Sequence, residues 1–496
     1  MHRLKTLLPG LAALLCGASA SLAFAPFSLP LFAILSVAGL WLVLREASPG
    51  QAIRRGWLYG LGFFGAGTSW VYVSIHTYGN APVPLAAGLT FLFCAALALL
   101  FAGQAWAGAR WFRGKSAWIG FIALWWLFEW LRSWFLTGFP WLYLGYAWTD
   151  SPLRALAPVA GVWGLTFLTL LVAVGTVESF LQRRIRPILP ATLLVALTLL
   201  LPSQWTLQSG DTFKAAVMQP NVPQLEKWNP QRRDEILNQL IEMTRAHPEA
   251  ELIVWPENAI PAFYYQVADQ MQPLLSELGS RTLLTGLPTT EPDPDDAQRR
   301  LYHNSVAALG NTPGVYNKQR LVPFGEYVPL ESVLRGLIEF FNLPMSSFSL
   351  PRQPQGPLQA GPYELGVAIC YEIAYPELVR ESGQLSDILL TVSNDTWFGR
   401  SIGPDQHLQM ARMRALENGR WVMRGTNNGI TALIDPQGQI TAQLPVDEAG
   451  VLTGEVTPMQ GRTPYQMTGV YPLLMLNLLL LAGLLVCRIR AAQKHH

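Results

Sequence analysis

The chain has 496 residues, half of them apolar, and its 35 Lys and Arg residues nearly balance its 33 Asp and Glu residues. The formal net charge of +2 argues against a nucleic-acid partner, which is bound through a strongly basic surface. A charged fraction of only 14% together with 18 Trp residues is typical of a membrane protein.

Apolar stretches of roughly membrane-spanning length fill the first 201 residues, and one more lies near the C-terminus. The eight predicted spans cover residues 6–25, 27–44, 57–75, 82–108, 117–136, 158–180, 187–201 and 469–487. The polar segment between the last two spans has an ordinary globular composition. We therefore predict a transmembrane domain of about seven spans over 1–201, a globular domain over 202–468, and a final span with its tail over 469–496.

One carboxylate interrupts the fifth predicted span. An ionisable side chain such as Glu129 is costly in a membrane, so it needs a partner there. Arg132 follows three residues later, and this spacing places both side chains on one helix face. The sequence therefore predicts an ion pair between Glu129 and Arg132.

Basic residues mark one side of the predicted spans. They are Arg3, Lys5, Arg45, Arg54, Arg55, Arg110, Arg113, Lys115, Arg183, Arg184, Arg186, Arg488, Arg490 and Lys494. Because basic loops stay in the cytoplasm, we expect a multi-pass protein of the bacterial inner membrane with both termini cytoplasmic and the globular domain in the periplasm. A cleaved signal peptide is an alternative for the first span, and it leaves the outward position of the globular domain unchanged.

Short apolar runs alternate with helix-like stretches in the globular segment. Strands are predicted at 213–218, 252–255, 283–286, 305–309, 365–369 and 388–392, helices at 230–247, 377–382 and 406–418, and a hairpin at 430–434 and 440–444. This alternation is typical of a layered α/β fold.

Three reactive side chains lie at the ends of strand-like runs in this segment. They are Glu257 in a Trp-Pro-Glu-Asn motif, Lys318 ahead of a Val-Pro-Phe-Gly-Glu motif, and Cys370 after an apolar run. A carboxylate that takes the thiol proton, a thiolate that attacks a carbonyl and an ammonium that stabilises the oxyanion make an acyl-transfer site. Taken singly, Cys370 is better explained as a buried structural thiol, and Lys318 as a solvated lysine; the combination of the three motifs favours the catalytic interpretation.

These motifs resemble the carbon–nitrogen hydrolase (nitrilase) superfamily, which carries a Glu-Lys-Cys triad in an α-β-β-α sandwich. Together with the eight spans, nearly the whole chain resembles the apolipoprotein N-acyltransferase family. The local signatures are Gly138-Phe-Pro-Trp-Leu142, Leu321-Val-Pro-Phe-Gly-Glu-Tyr-Val-Pro329, Cys370-Tyr-Glu372, Ser393-Asn-Asp-Thr-Trp-Phe398 and Thr463-Pro-Tyr465. The fold class that this resemblance implies is a multi-span α-helical membrane domain with an α/β nitrilase-like domain.

The resemblance also implies an activity. A fatty acyl chain would pass from a membrane phospholipid, usually phosphatidylethanolamine, to the α-amino group of the diacylglyceryl-modified N-terminal cysteine of a lipoprotein. The transfer would be ping-pong, through a thioester on Cys370, and would need no cofactor or metal.

The resemblance assigns roles to several residues. Glu257 would be the general base, and Lys318 with the backbone N–H of Tyr371 would hold the oxyanion. The supporting residues that it implies are Glu326, Glu372 and Asn304.

An apolar arm over 330–351 follows the predicted catalytic lysine. Because it is far richer in apolar side chains than an aqueous hydrolase would need, we expect it to admit acyl chains. The residues predicted to admit the acyl chains are Phe340, Phe341, Met345 and Phe348 of the arm, and Trp228.

Two other functions remain open on the sequence alone. A membrane-tethered amidase or nitrilase would use the same triad to hydrolyse a C–N bond, with water as the acceptor. A transporter or receptor would use the globular domain only to bind a ligand, although the spans show no clear pair of broken-helix repeats.

Overall fold

The computed structural model describes residues 2–327 and 347–493. It divides the chain into two compact units, one of residues 1–72, 82–203 and 468–496 and the other of residues 73–81 and 204–467. Three of the residues predicted to admit acyl chains, Phe340, Phe341 and Met345, lie outside the described residues.

The first unit is helical. Its helices are α1 (His2–Ser19), α2 (Leu31–Leu44), α3 (Pro49–Gly67), α4 (Trp70–Val73, which ends in the second unit), α5 (Val83–Trp111), α6 (Ala117–Leu131), α7 (Ala157–Gln182), α8 (Leu189–Leu199) and the C-terminal helix Tyr471–Gln493. Helical segments occupy all eight predicted spans. Among the described residues, only Val83–Trp111, Pro152–Gln182 and Tyr471–Arg490 are both long and apolar enough to cross a membrane. The eight-span topology therefore stays a prediction.

The predicted ion pair between Glu129 and Arg132 is wrong. Glu129 is buried and instead accepts hydrogen bonds from Thr166 Oγ1 at 2.7 Å and Trp125 Nε1 at 3.1 Å. Arg132 donates to backbone carbonyls after the end of α6, 3.0 Å from that of Phe139. The helix spacing allowed a direct pair, but Trp125 of the same helix and Thr166 of α7 hold Glu129, while backbone carbonyls hold Arg132.

The second unit contains two six-stranded sheets and a short extra pair. The strands are β1 (Leu207–Gln208), β2 (Phe213–Gln219), β3 (Leu252–Val254), β4 (Thr282–Asp293), β5 (Asp296–Leu309), β6 (Gly314–Asn317), β7 (Leu358–Ala360), β8 (Tyr363–Ile369), β9 (Ile388–Ser393), β10 (Val422–Thr426), β11 (Ala432–Ile434), β12 (Ile440–Gln443), β13 (Gly450–Val456) and β14 (Met459–Gln460). The first sheet has the order β13-β2-β3-β4-β5-β6, and the second has the order β12-β11-β10-β9-β8-β7. The central strands β2, β3 and β4 of the first sheet are parallel, as are β8, β9 and β10 of the second.

Helices cover the outer faces of the two sheets. The helices of this unit are α9 (Gln224–Lys227), α10 (Arg233–Arg245), α11 (Ala268–Leu278), α12 (Pro376–Gly383), α13 (Gly403–Asn418) and α14 (Pro464–Thr468). One apolar cluster joins α10 and α11 to the first sheet, and another joins α12 and α13 to the second. With a third cluster between the sheets, the layers follow the α-β-β-α order that the family resemblance implies.

Strand β2 shows why these residues form this layered core. Its alternate side chains point to opposite faces, so Ala215 and Val217 enter the layer between the sheets while Ala216 and Met218 pack against the helices. Such two-sided burial selects a continuous apolar run. Gly425 of β10 allows the sheets to approach closely, because a Cβ there would lie 3.1 Å from a methyl group of Val217.

The sequence-based strand assignments are largely confirmed. All six predicted strands are present, and the predicted hairpin is formed by β11 and β12, which pair antiparallel. Strands β1, β6, β7, β10, β13 and β14 and helices α9, α11 and α14 were not predicted, although β10 is a central strand of the second sheet. Strand β7 is only three residues long, which leaves too short a pattern to recognise.

Leu390 of β9 tests the layer between the sheets. Its side chain is fully buried there, so Leu390→Ala should lower the free energy of unfolding by about 2–5 kcal/mol through lost contacts and a residual cavity. The measurement is urea unfolding of the full chain in detergent, followed by tryptophan fluorescence. Leu385→Ala is the matched control, because Leu385 is 62% exposed and its loss should change stability by no more than about 0.5 kcal/mol. Equal effects of the two substitutions would contradict this packing.

Candidate active site

Polar residues collect where parallel strands of both sheets end. Glu257 lies three residues after β3, Cys370 directly follows β8, and Asn394 directly follows β9. The carboxyl ends of parallel strands are the usual location of sites in α/β sheets, because loops rather than side-chain layers occupy that edge. The two sheets of this unit thus contribute to one group of polar side chains.

The carboxylate of Glu257 is buried and held by three donors. Its Oε1 accepts from Asn304 Nδ2 at 2.7 Å and Lys318 Nζ at 3.3 Å, and its Oε2 accepts from the backbone N–H of Asn394 at 2.9 Å. The loop that carries it packs tightly on Gly286 of β4, where a Cβ would lie 2.5 Å from backbone atoms of this loop. The position and orientation of the carboxylate are therefore fixed before any substrate binds.

Lys318 lies between two carboxylates. Its ammonium is 2.9 Å from Glu326 Oε1 and 3.3 Å from Glu257 Oε1, and its side chain is almost fully buried. Asn304 bridges the same two carboxylates, since its Nδ2 also donates to Glu326 Oε1 at 2.8 Å. The second oxygen of Glu326 accepts from the backbone N–H of Val322 at 2.8 Å. The four predicted residues therefore form one connected cluster.

Cys370 begins a 3-10 turn, Cys370–Ala374, immediately after β8. Its φ of +53° is in the left-handed region, which is uncommon for a residue other than glycine. The residue is only partly buried, which leaves the start of the turn accessible. A sharp strand-to-turn junction of this kind places a nucleophile at the edge of a sheet.

Glu372 ties the cysteine turn to the lysine loop. One of its oxygens accepts from the N–H of Ile369 at 2.7 Å and from the hydroxyl of Tyr316 at 3.2 Å. The other accepts from the backbone N–H groups of Gln319 and Arg320, which follow the predicted catalytic lysine. Burial raises the pKa of Glu372 to about 7 despite these donors. We therefore interpret Glu372 as a residue that positions both loops.

The electrostatics of the cluster keep the thiol protonated. Burial and the negative charge of Glu257 raise the pKa of Cys370 well above its ordinary range, and Lys318 only partly offsets this. Burial alone would lower the pKa of Lys318, but Glu326 and Glu257 outweigh it and raise that pKa. The site therefore rests as a neutral thiol beside a firmly charged ammonium, and the thiol needs a base before it can attack.

Lys227 is a buried cation that the sequence analysis did not identify. It ends α9, next to the predicted Trp228, and its Nζ donates to the backbone carbonyl of Glu257 at 2.8 Å. Burial lowers the pKa of Lys227 to about 8, against the opposing charges of Glu257 and Cys370. Only the tertiary structure gives this contact, since a lysine in a polar stretch of sequence is ordinarily solvated.

Trp228, Tyr371 and Phe348 are the remaining predicted site residues that the structure describes. Trp228 is half-buried, and Tyr371 is buried in the cysteine turn. The backbone N–H of Phe348 donates to the carbonyl of Glu326 at 3.0 Å, so the described end of the arm meets the loop that carries the second carboxylate.

A second buried cluster lies behind the cysteine turn. Asp395 accepts from Arg424 at 2.6 Å and from Ser393 at 2.9 Å. Nδ1 of His407 lies 2.9 Å from Oδ1 of Asp395, and Nε2 of His407 lies 3.0 Å from the backbone carbonyl of Cys370. Burial alone would raise the pKa of Asp395, but Arg424 and His407 lower it to about 2. The sequence analysis did not identify this cluster; the position of Asp395 just after a parallel strand was the available signal.

The site combines a thiol with a buried carboxylate and a buried ammonium, which are the groups that a covalent acyl transfer can use. Among residues 2–327 and 347–493, no group of three or more His, Cys, Asp or Glu side chains could hold a metal ion. The absence of a cofactor stays a prediction.

Two family models match the chain. The Apolipoprotein N-acyltransferase N-terminal domain matches residues 16–175, and Carbon-nitrogen hydrolase matches residues 214–465. Among solved structures, the chain is similar to Saccharomyces cerevisiae Nit3, a member of branch 10 of the nitrilase superfamily. The TM-score is 0.36 at 20% identity, over 50% of this chain and 91% of Nit3.

Curated relatives match over nearly the whole length. The apolipoprotein N-acyltransferase of Pseudomonas syringae pv. tomato is 48% identical over 97% of both chains, and that of Pseudomonas putida is 48% identical over 96% of this chain and 97% of its own. The protein of the same name from Methylococcus capsulatus is 42% identical over 91% of this chain and 90% of its own. The chain therefore belongs to the apolipoprotein N-acyltransferase family and carries a carbon–nitrogen hydrolase domain with a nitrilase-like fold.

Proposed function

We propose that this protein transfers a fatty acyl chain from a phospholipid to the α-amino group of the diacylglyceryl-modified N-terminal cysteine of apolipoproteins. The observation that carries the proposal is the buried cluster of Glu257, Lys318, Asn304 and Glu326 whose charges act on the thiol of Cys370. Relatives of the same length are named for this acyl transfer, which supports the choice of an amine as the acceptor. Phosphatidylethanolamine is the proposed donor.

The first half-reaction makes a thioester. Glu257 takes the proton of the Cys370 thiol, and the thiolate attacks the ester carbonyl carbon of the phospholipid. The C–S bond forms, the ester C–O bond breaks, and the proton returns from Glu257 to the departing oxygen. A lysophospholipid leaves, and the acyl group stays on Cys370.

Positive charge and backbone dipoles stabilise the negative charge that develops on the carbonyl oxygen. The Lys318 ammonium and the N–H of Tyr371 are the proposed donors to this oxyanion. Glu326 keeps Lys318 charged and in place, so the ammonium needs no reorganisation during the reaction. Preorganised donors of this kind typically account for about a hundred- to a thousand-fold in rate each.

The second half-reaction moves the acyl group to nitrogen. The α-amino group attacks the thioester carbonyl, Glu257 accepts the proton that the nitrogen loses, and the C–S bond breaks. That proton restores the thiol of Cys370, and the product is an amide. Glu257 therefore serves as base in both halves and is returned unchanged.

The alternative acceptor is water, as in a membrane-tethered amidase or nitrilase. The same Glu257, Lys318 and Cys370 would serve that reaction, so the cluster alone does not separate the two. What favours acyl transfer to an amine is the family membership over nearly the full length, including the N-terminal domain. The apolar arm of 330–351 is further support, since a thioester must be kept from water.

We also propose the placement of the chain in the membrane. Eight helical segments coincide with the predicted spans, and the basic residues fall on one side of them. With eight spans the termini are cytoplasmic, and the domain of residues 202–468 lies in the periplasm of a bacterial cell.

Reporter fusions at the C-terminus test this topology. A green fluorescent protein joined after His496 should fluoresce in intact cells, and alkaline phosphatase joined at the same point should be inactive, because that end is expected in the cytoplasm. Trypsin added to spheroplasts should digest the globular domain and leave the fluorescent reporter intact. The reverse pattern of the two reporters would contradict the proposed orientation.

The thioester is the central expectation of the proposed function. Wild-type protein incubated with a defined phosphatidylethanolamine should gain one acyl mass on Cys370 that hydroxylamine removes, because a thioester is labile to that nucleophile. Intact and peptide mass spectrometry measures this adduct. Cys370→Ala should fold normally and show none.

The acceptor decides between the two candidate functions. A diacylglyceryl-cysteine peptide should discharge the adduct and appear as the N-acylated peptide. Discharge to free fatty acid at the same rate with and without the peptide would favour the hydrolase, and no adduct on the folded wild type would contradict the proposed donor chemistry.

The raised pKa of Cys370 predicts opposite effects of two substitutions on thiol alkylation. Glu257→Gln removes a negative charge that disfavours the thiolate, so the pH profile of iodoacetamide alkylation should move to lower pH. Lys318→Met removes a positive charge that favours the thiolate, so its profile should move to higher pH. Both variants should lose about a hundred-fold or more in acyl transfer, since each lacks a catalytic group.

The exposed Glu381 gives the matched control for this pair. It lies on α12 with its side chain 66% exposed, so Glu381→Gln should leave both the alkylation profile and acyl transfer unchanged. Profiles that shift in the same direction for Glu257→Gln and Lys318→Met would show that these charges do not set the thiol pKa.

A further inference from the structure

His407 joins a buried carboxylate to the backbone of the nucleophile. Its Nε2 lies 3.0 Å from the carbonyl oxygen of Cys370, and its Nδ1 lies 2.9 Å from Oδ1 of Asp395. The ring is fully buried in α13 and packs edge-on against Phe398, with ring centroids 5.7 Å apart. His407 therefore lies behind the cysteine turn.

The direction of the hydrogen bond to Cys370 follows from its acceptor. A carbonyl oxygen only accepts, so Nε2 of His407 must carry the hydrogen. At Nδ1, Asp395 offers an acceptor, and Arg424 Nη2 offers a donor at 3.1 Å. The donation to Cys370 is therefore the same whether the ring is a cation or the neutral tautomer with its hydrogen on Nε2.

The peptide plane connects this bond to the reacting side of the turn. The carbonyl of Cys370 and the N–H of Tyr371 belong to one planar trans peptide unit, in which they point in opposite directions. A donor that fixes the carbonyl on one side therefore fixes the direction of the N–H on the other. A hydrogen bond to the carbonyl also polarises the unit and makes its N–H a stronger donor.

The anchor for His407 is rigid. Asp395 also accepts from Arg424 at 2.6 Å and from Ser393 at 2.9 Å, and Arg424 donates from Nε to the carbonyl of Ile430 at 3.1 Å. Asp395, His407 and Arg424 are all essentially inaccessible to solvent. Rotation of the imidazole would break a buried charge-assisted contact, which costs more than a similar contact at the surface.

We propose that His407 is a positioning residue that holds the Cys370–Tyr371 peptide so that the Tyr371 N–H is directed at the oxyanion. This inference rests on the proposed function, which makes that N–H an oxyanion donor. Asp395 and Arg424 hold the imidazole, and the left-handed conformation of Cys370 is maintained by the donor behind it. His407 exchanges no proton with substrate in this role.

Two amide substitutions at His407 separate its two contacts. Gln places its amide nitrogen near the position of Nε2 and keeps a donor for the Cys370 carbonyl, whereas Asn reaches only the position of Nδ1 and keeps the contact with Asp395. His407→Asn should lower the single-turnover acylation of Cys370 about a hundred-fold through the misplaced donor. His407→Gln should stay within about tenfold of the wild type, because the peptide is still held.

Alkylation of Cys370 by iodoacetamide distinguishes a misplaced oxyanion donor from a general loss of structure, which would slow alkylation as well as acylation. The alkylation reaction develops no oxyanion. Both variants should therefore be alkylated at close to the wild-type rate, while only His407→Asn loses acylation. Parallel losses of alkylation and acylation, or equal acylation by the two variants, would overturn the inference. Thermal unfolding in detergent is measured for both variants to confirm that they are folded.

The acyl donor in these acylation measurements is chosen so that the test of His407 does not depend on the proposed phospholipid donor. A soluble p-nitrophenyl ester acylates the thiol without phospholipid recognition, so the comparison holds even if phosphatidylethanolamine gives no adduct. If His407→Asn does not fold, Asp395→Asn replaces it, because it keeps the shape of the anchor and removes its charge. Slower acylation with undiminished alkylation would then support the role of His407, and unchanged acylation would overturn it.

Discussion

The buried ammonium of Lys318 is the constraint on which the rest of the site depends. An isolated charge in such a position would cost several kcal/mol, so it requires opposite charge and hydrogen-bond partners at short range. Glu257 and Glu326 provide the charge, and Asn304 bridges the two carboxylates. Loss of both carboxylates would leave an uncompensated charge in the interior. The elements that carry them are therefore fixed relative to one another by electrostatics as well as by packing.

The same electrostatics explain why a base is needed at all. The carboxylate that stabilises Lys318 also disfavours the thiolate of Cys370, so the resting nucleophile is a neutral thiol. In the proposed mechanism, Glu257 therefore takes the proton as the substrate carbonyl approaches, and no stored thiolate is needed. Lys227 adds a second buried cation beside Glu257 and fixes the backbone of its loop.

The cysteine turn is held from two sides. On one side Glu372 binds the strand before Cys370 to the loop after Lys318, and on the other His407 binds the carbonyl of Cys370. A left-handed residue other than glycine persists only where its surroundings determine it strongly. These contacts supply that determination, and they join the first sheet, which carries Lys318, to the second sheet, which carries Cys370.

The sequence by itself determined most strands of the layered core, because two-sided burial leaves apolar runs that can be recognised locally. The central strand β10 was missed. The motifs marked the triad of Glu257, Lys318 and Cys370 as a hypothesis. Local patterns also misled, since helix spacing paired Glu129 with Arg132. Only the tertiary structure decided the partners of the site. Lys227 and His407 meet groups 30 and 37 positions away, and Asn394 meets Glu257 across 137 positions. No local pattern encodes such contacts, because they arise only when the two sheets stack and the ends of their parallel strands meet.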